Sequence, residues 1–328
     1  MNTSAEYDIK PLSANDLEAV ISIDKETGGN SRRGYFEKRL VAATDRPADY
    51  VYVGLYTKGA LQGFAFAKLV NGEFGKPGAS ASLDAIGVSG RHSHHGQGHK
   101  LLEAVQQVLT SKGVQTLTSQ VDWSNTGVLG FFADAGFSLS PRLVLTRSTQ
   151  AIPPRLQDEP DDSDISEVDN SSPDSDDFMA LSRDRVPVRS MIDGDLAKII
   201  SIDKASTGTN RADYYTRKQH ESLHESGVRV SLVAELEDYP VGFIMARVDY
   251  GEFGHTSPEA VMDSIGVDPG YMGQGVGQAL MSQLMANLSV LRVETVRTEI
   301  KWNDTDLIAY FDAAGFVPAQ CVALKRNL

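Results

Sequence analysis

The sequence has a single cysteine, Cys321, among its 328 residues. One cysteine excludes a disulfide framework, a cysteine zinc site and an iron–sulfur cluster within one chain. No apolar run approaches the roughly 20 residues that span a bilayer, and the opening residues, MNTSAEYDIKPL, contain no apolar signal core. We therefore expect a protein of the reducing cytoplasm, without a signal peptide.

The sequence also lacks an excess of positive charge, because its formal net charge is −13. Nucleic acids and anionic membranes attract proteins rich in Lys and Arg, so neither is an expected partner. Residues 157–178 carry ten acidic side chains and no basic one. Like charges repel and few apolar groups are available there to bury, which predicts a flexible linker over residues 150–186. We favour a solubilising spacer over an acidic tether for a basic partner.

The two sides of this segment repeat each other at an offset of 179 positions. The matching segments are DLEAVISIDK (16–25) with DLAKIISIDK (195–204), NGEFG (71–75) with YGEFG (250–254), and FFADAGF (131–137) with YFDAAGF (310–316). The only tryptophans, Trp123 and Trp302, also coincide. Matching HGQGH (95–99) to MGQGV (272–276) changes the offset to 177. We predict a tandem duplication, with one domain over residues 1–149 and a second over residues 187–328.

Each copy has the pattern of a mixed α/β domain. In the second copy, apolar segments over 228–236 and 241–249 predict a hairpin, and residues 260–267 predict a further strand. A helix then carries Val276, Leu280, Leu284 and Leu288 at four-residue spacing, which predicts a buried face. Residues 296–302 alternate between apolar and charged, and a short helix precedes Gly315. The predicted fold class is α/β (α+β): two mixed sheets with flanking helices.

The turn MGQGVGQAL (272–280) joins a buried strand to this amphipathic helix. Glycines allow a ligand to approach the backbone closely, and the unpaired N–H groups at the start of a helix bind phosphate. A Rossmann domain would need different glycine spacing and a parallel βαβ unit. The antiparallel hairpin that precedes the turn excludes that fold.

The segments IGVDPGYMGQGVGQALM (265–281) and DLIAYFDAAGF (306–316) resemble the GNAT N-acetyltransferase superfamily. The resemblance covers both copies, although Met272 stands where the family usually has Arg or Gln. It implies binding of acetyl-CoA as co-substrate, and no metal. It assigns to the pyrophosphate residues Gly273, Gln274, Gly275, Val276 and Gly277, and to the pantetheine amides Ile265 and Val267. The family's asparagine that contacts the cofactor aligns with Asp304, and the adjacent Asn303 is the candidate to replace it.

Three residues are candidates for catalysis. Asp263 lies on the strand that leads into the glycine turn, where many members of the family carry a glutamate base, and a structural carboxylate is the alternative. Glu252 in the GEFG loop is a second candidate base, with turn stabilisation as its alternative. Tyr310 is the candidate general acid, although the family's tyrosine position falls on Phe311, and one residue rotates a helical side chain by about 100°.

The first copy is predicted to be non-catalytic, because the alignment places Lys100 at the last glycine of its turn. His92, His94, His95 and His99 are interpreted as a solvated loop rather than a metal site. A second repeated pattern, Asp203, Gly208, Arg211 and Tyr214 in the second copy, indicates either a wall of the acceptor site or packing particular to this fold.

The predicted function is transfer of an acetyl group from acetyl-CoA to a primary amine by direct attack, catalysed by the second copy. The acceptor is a small molecule or a protein amine. The alternative is a CoA-binding sensor or pseudoenzyme scaffold with little turnover.

Overall fold

The computed structural model describes residues 7–28, 31–76, 78–90, 96–150, 185–225, 228–249, 251–255 and 257–328. The predicted linker therefore lies almost wholly outside the described residues, as do His92, His94 and His95. None of the described helices is long and apolar enough to cross a membrane.

Both copies have the same order of elements: a short strand, two helices, a hairpin, a strand, a helix, a strand, a helix and two final strands. In the first copy these are β1 (Tyr7–Pro11), α1 (Leu17–Gly28), α2 (Arg33–Asp45), β2 (Tyr50–Thr57), β3 (Ala60–Leu69), β4 (Ser80–Val88), α3 (Gln97–Ser111), β5 (Thr116–Asp122), α4 (Thr126–Asp134), β6 (Ser138–Leu139) and β7 (Arg142–Ser148).

The second copy repeats the series. Its elements are β8 (Val188–Ser190), α5 (Leu196–Thr207), α6 (Ala212–His220), β9 (Leu232–Leu236), β10 (Tyr239–Asp249), β11 (Glu259–Val267), α7 (Val276–Val290), β12 (Thr295–Lys301), α8 (Thr305–Ala313), β13 (Val317–Pro318) and β14 (Cys321–Asn327).

The predicted hairpin and amphipathic helix are both confirmed. Glu237 and Asp238 have φ of 51° and 64°, the backbone of a tight two-residue hairpin turn. On α7, the four predicted apolar side chains are all buried. The pattern missed β8 and α6, because β8 has three residues and α6, with the sequence ADYYTRKQH, is mostly polar.

The two copies exchange their last strands. The first sheet has the order β1-β2-β3-β4-β5-β14-β6, and the second has the order β13-β7-β12-β11-β10-β9-β8. Strand β14 pairs with β5 over seven residues, and β7 pairs with β12 over seven. The predicted ranges 1–149 and 187–328 therefore do not each contain a complete sheet. Sequence alternation could not show this, because a half-buried strand has the same pattern in either sheet.

The exchange changes what the linker connects. Strand β7, which precedes it, and β8, which follows it, both belong to the second sheet. The chain crosses between sheets at two short turns, residues 140–141 and 319–320. The acidic segment therefore joins two strands of one sheet, and the copies are held together without it.

Equivalent loops pack each copy against the other. The backbone of Gly251 has φ +92°, and a Cβ there would lie 2.4 Å from the Cβ of Tyr35. The equivalent Gly72 faces Tyr214, at 2.8 Å. Only a residue without a side chain fits such a contact, and the left-handed backbone favours glycine as well. These contacts explain why both copies have glycine at the first position of the GEFG segment.

The repeated Asp–Arg pattern also acts at this interface. Arg211 pairs with Asp203 of its own copy and donates a hydrogen bond of 3.1 Å to the carbonyl of Gly72. Arg32 pairs with Asp24 and donates to the carbonyl of Gly251 at 2.5 Å. The pattern therefore contributes to packing between the copies, which was one of its two interpretations.

Candidate active site

The glycine turn ends at Gly275, which is the N-cap of α7 and has φ +80°. Gly275 has no side chain to accept hydrogen bonds from the first turn, so those N–H groups lack a partner within the helix. Gly273 also has positive φ, and Gln274 donates through its side chain to the carbonyl of Gly270. Small residues and the positive end of the helix dipole together suit a phosphate group.

The first copy has the same helix start, which corrects the predicted alignment. Gly96 caps α3 with φ +73°, as Gly275 caps α7. Gly98 packs against the ring of Phe131 as Gly277 packs against Tyr310. The offset therefore stays at 179, and Lys100 replaces no glycine. The similarity of HGQGH to MGQGV misled the alignment, because alternate glycines match equally well in two registers.

A cleft opens between β11 and β12. The two strands pair in parallel only at residues 259–261 and 295–297. Beyond that point the hydroxyl of Thr298 donates to the carbonyl of Met262 at 2.9 Å, and the strands diverge. The cavity that they leave, the β11–β12 cleft, has a volume of about 830 Å³. Its inner wall includes Ser264, Ile265 and Gly266.

Both copies line this cleft. Asp203, Arg211 and Tyr214 form one side of it, so the repeated pattern also fits its other interpretation, a wall of the site. The loop at residues 71–76 of the first copy and Arg142 of the exchanged strand β7 form another side. The equivalent cleft of the first copy is smaller, about 220 Å³, and Phe253 of the second copy lines it.

Asp263 is buried and lines the cleft. It lies at a bulge of β11, where the register against β10 shifts between Met245 and Ala246, and such bulges are frequent beside active sites. Its carboxylate is 2.5 Å from Arg247 and 3.2 Å from Lys218. A carboxylate between two cations has further lone pairs and can still accept a hydrogen bond from an amine.

Glu252 lies outside the cleft, at the interface between the copies. Burial alone would raise its pKa, but Lys68, Arg247, Arg39 and Arg297 outweigh burial and hold the pKa of this carboxyl well below its ordinary value. The distances are 2.5 Å to Arg39 and 3.2 Å to Arg297. This environment suits an ion pair rather than proton transfer, so the geometry favours the structural alternative for Glu252.

Tyr310 packs against the glycine turn rather than into the cleft. Its hydroxyl donates to the carbonyl of Gly277 at 2.9 Å, and burial raises the pKa of the phenol above its ordinary value. The neighbouring Phe311 lines the cleft. Tyr310 and Phe311 are consecutive residues of α8, so their side chains point about 100° apart around the helix and only one of them reaches the cleft.

The remaining cofactor candidates lie in three places: the cleft, the core and the surface. Ile265 lines the cleft, whereas Val267 packs on the core below α7 and its carbonyl accepts from Ser206 at 3.2 Å. Asn303 is exposed and does not line the cleft. Asp304 does, and its side chain accepts from the N–H of Leu307 as the N-cap of α8.

Sequence reasoning missed the cations that hold the acidic candidates. Lys218 and Arg247 of the second copy are equivalent to Arg39 and Lys68 of the first. Glu299 is buried in the cleft and binds Lys76 at 2.9 Å and Arg142 at 2.6 Å. The sequence did contain a signal for these cations: the equivalent positions of both copies are basic. A solvent-exposed position has no reason to keep its charge, so this agreement indicates a buried partner.

The comparison with protein families gives two matches on this chain. The model of the acetyltransferase (GNAT) family matches residues 17–137 and 196–316, which together are more than half of the sequence. The chain is also similar to the [ribosomal protein bS18]-alanine N-acetyltransferase of Escherichia coli strain K12, with 35% identity over 69 residues. That match covers 21% of this chain and 45% of the relative, so it spans less than half the relative's length.

Two solved structures resemble the whole chain. A GCN5-related N-acetyltransferase from Sphaerobacter thermophilus superposes with a TM-score of 0.59 and 15% identity, covering 98% of this chain and 95% of that one. A tandem GNAT protein from the clavulanic acid biosynthesis pathway gives a TM-score of 0.61 and 17% identity, covering 98% of each chain. These likenesses concern the fold. The two matches to the family model show that the chain belongs to the acetyltransferase (GNAT) family, as two copies of its domain.

Proposed function

We propose that the second copy transfers an acetyl group from acetyl-CoA to a primary amine. The observation that carries this proposal is the β11–β12 cleft: Ile265 and Gly266 line it, and their strand, β11, leads into the glycine turn that begins α7. The pantetheine arm of acetyl-CoA, which carries the thioester, would lie in the cleft, and the pyrophosphate would bind at the glycine turn. Family membership and the similarity to an alanine N-acetyltransferase support the same reaction.

The backbone supplies most of the binding groups in this proposal. The N–H groups of residues 273–277 hold the pyrophosphate, as the start of a helix holds an anion. The edge of β11 at Ile265 pairs with the pantetheine amides in the way an added strand does. A backbone N–H near the β11 bulge polarises the thioester carbonyl and stabilises its oxygen as negative charge develops.

The acetyl transfer itself is a direct displacement. The lone pair of the amine attacks the carbonyl carbon, the C–N bond forms, and the C–S bond breaks. The nitrogen loses a proton and the thiolate of CoA gains one. Asp263 orients the amine, while Lys218 and Arg247 beside it disfavour the protonated, cationic amine. Tyr310 can protonate the thiolate only after its hydroxyl releases the carbonyl of Gly277.

A CoA-binding scaffold is the second candidate function. The observation that favours it is that Asp263 and Glu252 are held by cations and Tyr310 by a backbone carbonyl. We retain the proposal that the first copy is non-catalytic, on the smaller volume of its cleft. Release of free thiol from acetyl-CoA in the presence of a panel of amines separates the functions, because a scaffold binds CoA without releasing thiol.

We expect Gly275→Asp to weaken binding of acetyl-CoA at least about 30-fold more than Gly275→Asn does. Asn and Asp have the same shape, and both tolerate the left-handed backbone better than other side chains. Only Asp places a negative charge against the pyrophosphate, at the positive end of the helix. Calorimetric titration with acetyl-CoA measures the difference. Gly96→Asp and Gly96→Asn are the matched pair in the first copy, and equal affinities for the two Gly275 variants would refute the pyrophosphate site.

A further inference from the structure

Two cavities meet where the copies join. The first is the β11–β12 cleft, and the second is a cavity of about 530 Å³ between the two copies, lined by α2, α6 and β10. We call the second the interdomain cavity. Asp49, Arg217 and Asp263 line both. A ligand at this junction would therefore reach the cleft at Asp263 and extend between the copies.

Arg217 is the cation at this junction that forms no ion pair among the described residues; Glu221, one helical turn further on, interacts with its charge beyond ion-pair distance. It is half-buried on α6, and its guanidinium donates to the backbone carbonyl of Asn71 at 2.7 Å. Within the described ranges, no Asp or Glu oxygen lies within ion-pair distance of it, whereas Arg211 pairs with Asp203. Of the two carboxylates that line both cavities, Asp49 lies 3.9 Å from Arg46.

The two cations beside Arg217 are already matched by carboxylates. Lys218 is 2.5 Å from Glu73, 3.2 Å from Asp263 and 3.5 Å from Glu221, and Arg247 is 2.5 Å from Asp263 and 3.4 Å from Glu252. Arg217, in contrast, is half-buried and has no carboxylate at ion-pair distance among the described residues. A ligand with a negative group would supply the missing ion pair, because a partly desolvated charge is stabilised by an opposite charge nearby.

The first copy provides a fixed wall for such a ligand. Three arginines donate to carbonyls of its loop at residues 71–76: Arg217 of α6 to Asn71, Arg211 at the N-cap of α6 to Gly72 at 3.1 Å, and Arg142 of β7 to Phe74 at 2.6 Å. Charged donors make stronger hydrogen bonds than neutral ones. The loop is therefore a permanent part of the cleft, although it belongs to the other copy.

We propose that the acceptor is an amine that also carries a carboxylate or phosphate, bound across the two copies with its amine at Asp263 and its anionic group on Arg217. This inference rests on the proposed function of the second copy. It makes the first copy necessary for recognition of the acceptor, and it assigns Arg217 as a specificity-determining residue.

Equilibrium binding to the full chain saturated with CoA tests the inference without requiring turnover. The probes are ω-amino acids of two to six carbons and phosphoethanolamine, each compared with the amine of equal length that lacks the anionic group. We expect the anionic member of at least one pair to bind at least about tenfold more tightly. The carboxylate and phosphate series show which anion is preferred. Equal binding within every pair, or no binding of any anionic probe, overturns the inference.

Variants of Arg217 separate charge from structure. Arg217→Gln keeps a donor for the carbonyl of Asn71 but removes the charge, and we expect it to abolish the preference for anionic probes. Arg217→Lys should restore part of it. Lys38, the equivalent residue of the first copy, lines the interdomain cavity but not the cleft, so Lys38→Gln should keep the preference. A preference that survives Arg217→Gln in a normally folded protein also overturns the assignment.

Failure of the proposed function and failure of the anionic acceptor give different results. If the unmodified chain does not bind acetyl-CoA, the proposed function is contradicted. Tight binding of acetyl-CoA with a preference for neutral amines would leave that function standing and contradict only the anionic acceptor.

Discussion

Removal of residues 321–328 is expected to unfold the first sheet, although these residues stand at the opposite end of the sequence. Strand β14 lies between β5 and β6, and Leu324 is buried in the core of the first copy. Loss of seven paired residues and one buried leucine costs about 5 kcal/mol or more, which is comparable with the whole stability of many domains. Hydrogen exchange should show rapid loss of protection in β5, with β12 retaining more.

A reciprocal pair of proline variants controls this experiment. Leu324 in β14 and Leu145 in β7 occupy equivalent positions, and both are buried. Proline inside a sheet removes a hydrogen bond of the ladder and is poorly tolerated. Leu324→Pro should expose amides of β5, and Leu145→Pro should expose amides of β12. If each variant instead exposed the sheet of its own copy, the strand exchange would be refuted.

Glu252→Gln is expected to lower the free energy of unfolding by about 3–5 kcal/mol, because it leaves buried cations without their shared carboxylate. Arg39, Lys68 and Arg297 all contact this side chain. Asp84 lies 3.8 Å from Lys68 and can take over part of the charge, so the lower end of the range is the expected value. Denaturation by urea at neutral pH measures the change.

The pH dependence of stability gives this prediction a second readout. The folded pKa of Glu252 lies well below its ordinary value of 4.5. Its contribution is therefore fully present above pH 4.5 and is lost as the pH falls toward the folded pKa. Glu252→Gln should flatten the loss of stability below about pH 5. Glu18→Gln, which changes an exposed pair with Arg33, should alter the profile far less, because solvent screens exposed ion pairs. An unchanged profile in Glu252→Gln would contradict the role of this residue.

The duplication, the hairpin and the helix of the glycine turn were all predictable, because each depends on local spacing. Val276, Leu280, Leu284 and Leu288 must share one face of any helix. The position of Gly275 at the start of α7 follows from the same local rules, since glycine readily adopts the left-handed backbone of that cap. The backbone part of the candidate site was therefore visible in the sequence.

The side-chain part was not predictable, because it depends on contacts between the copies. Nothing local to Glu252 indicates that Arg39 and Lys68, about 200 positions away, would hold it. The tandem repeat itself concealed this arrangement. A loop that recurs in both copies looks like a feature of the single domain, yet Gly72 and Gly251 serve the interface between two domains.

The place of β14 has a consequence for how the protein is made. Strand β5 is synthesised about two hundred residues before its neighbour β14. The first sheet therefore cannot close while the ribosome is still translating the second copy, and its open edge remains available to other nascent strands throughout that time. Translation speed and chaperone supply should affect the yield of this protein more than that of a family member with one domain.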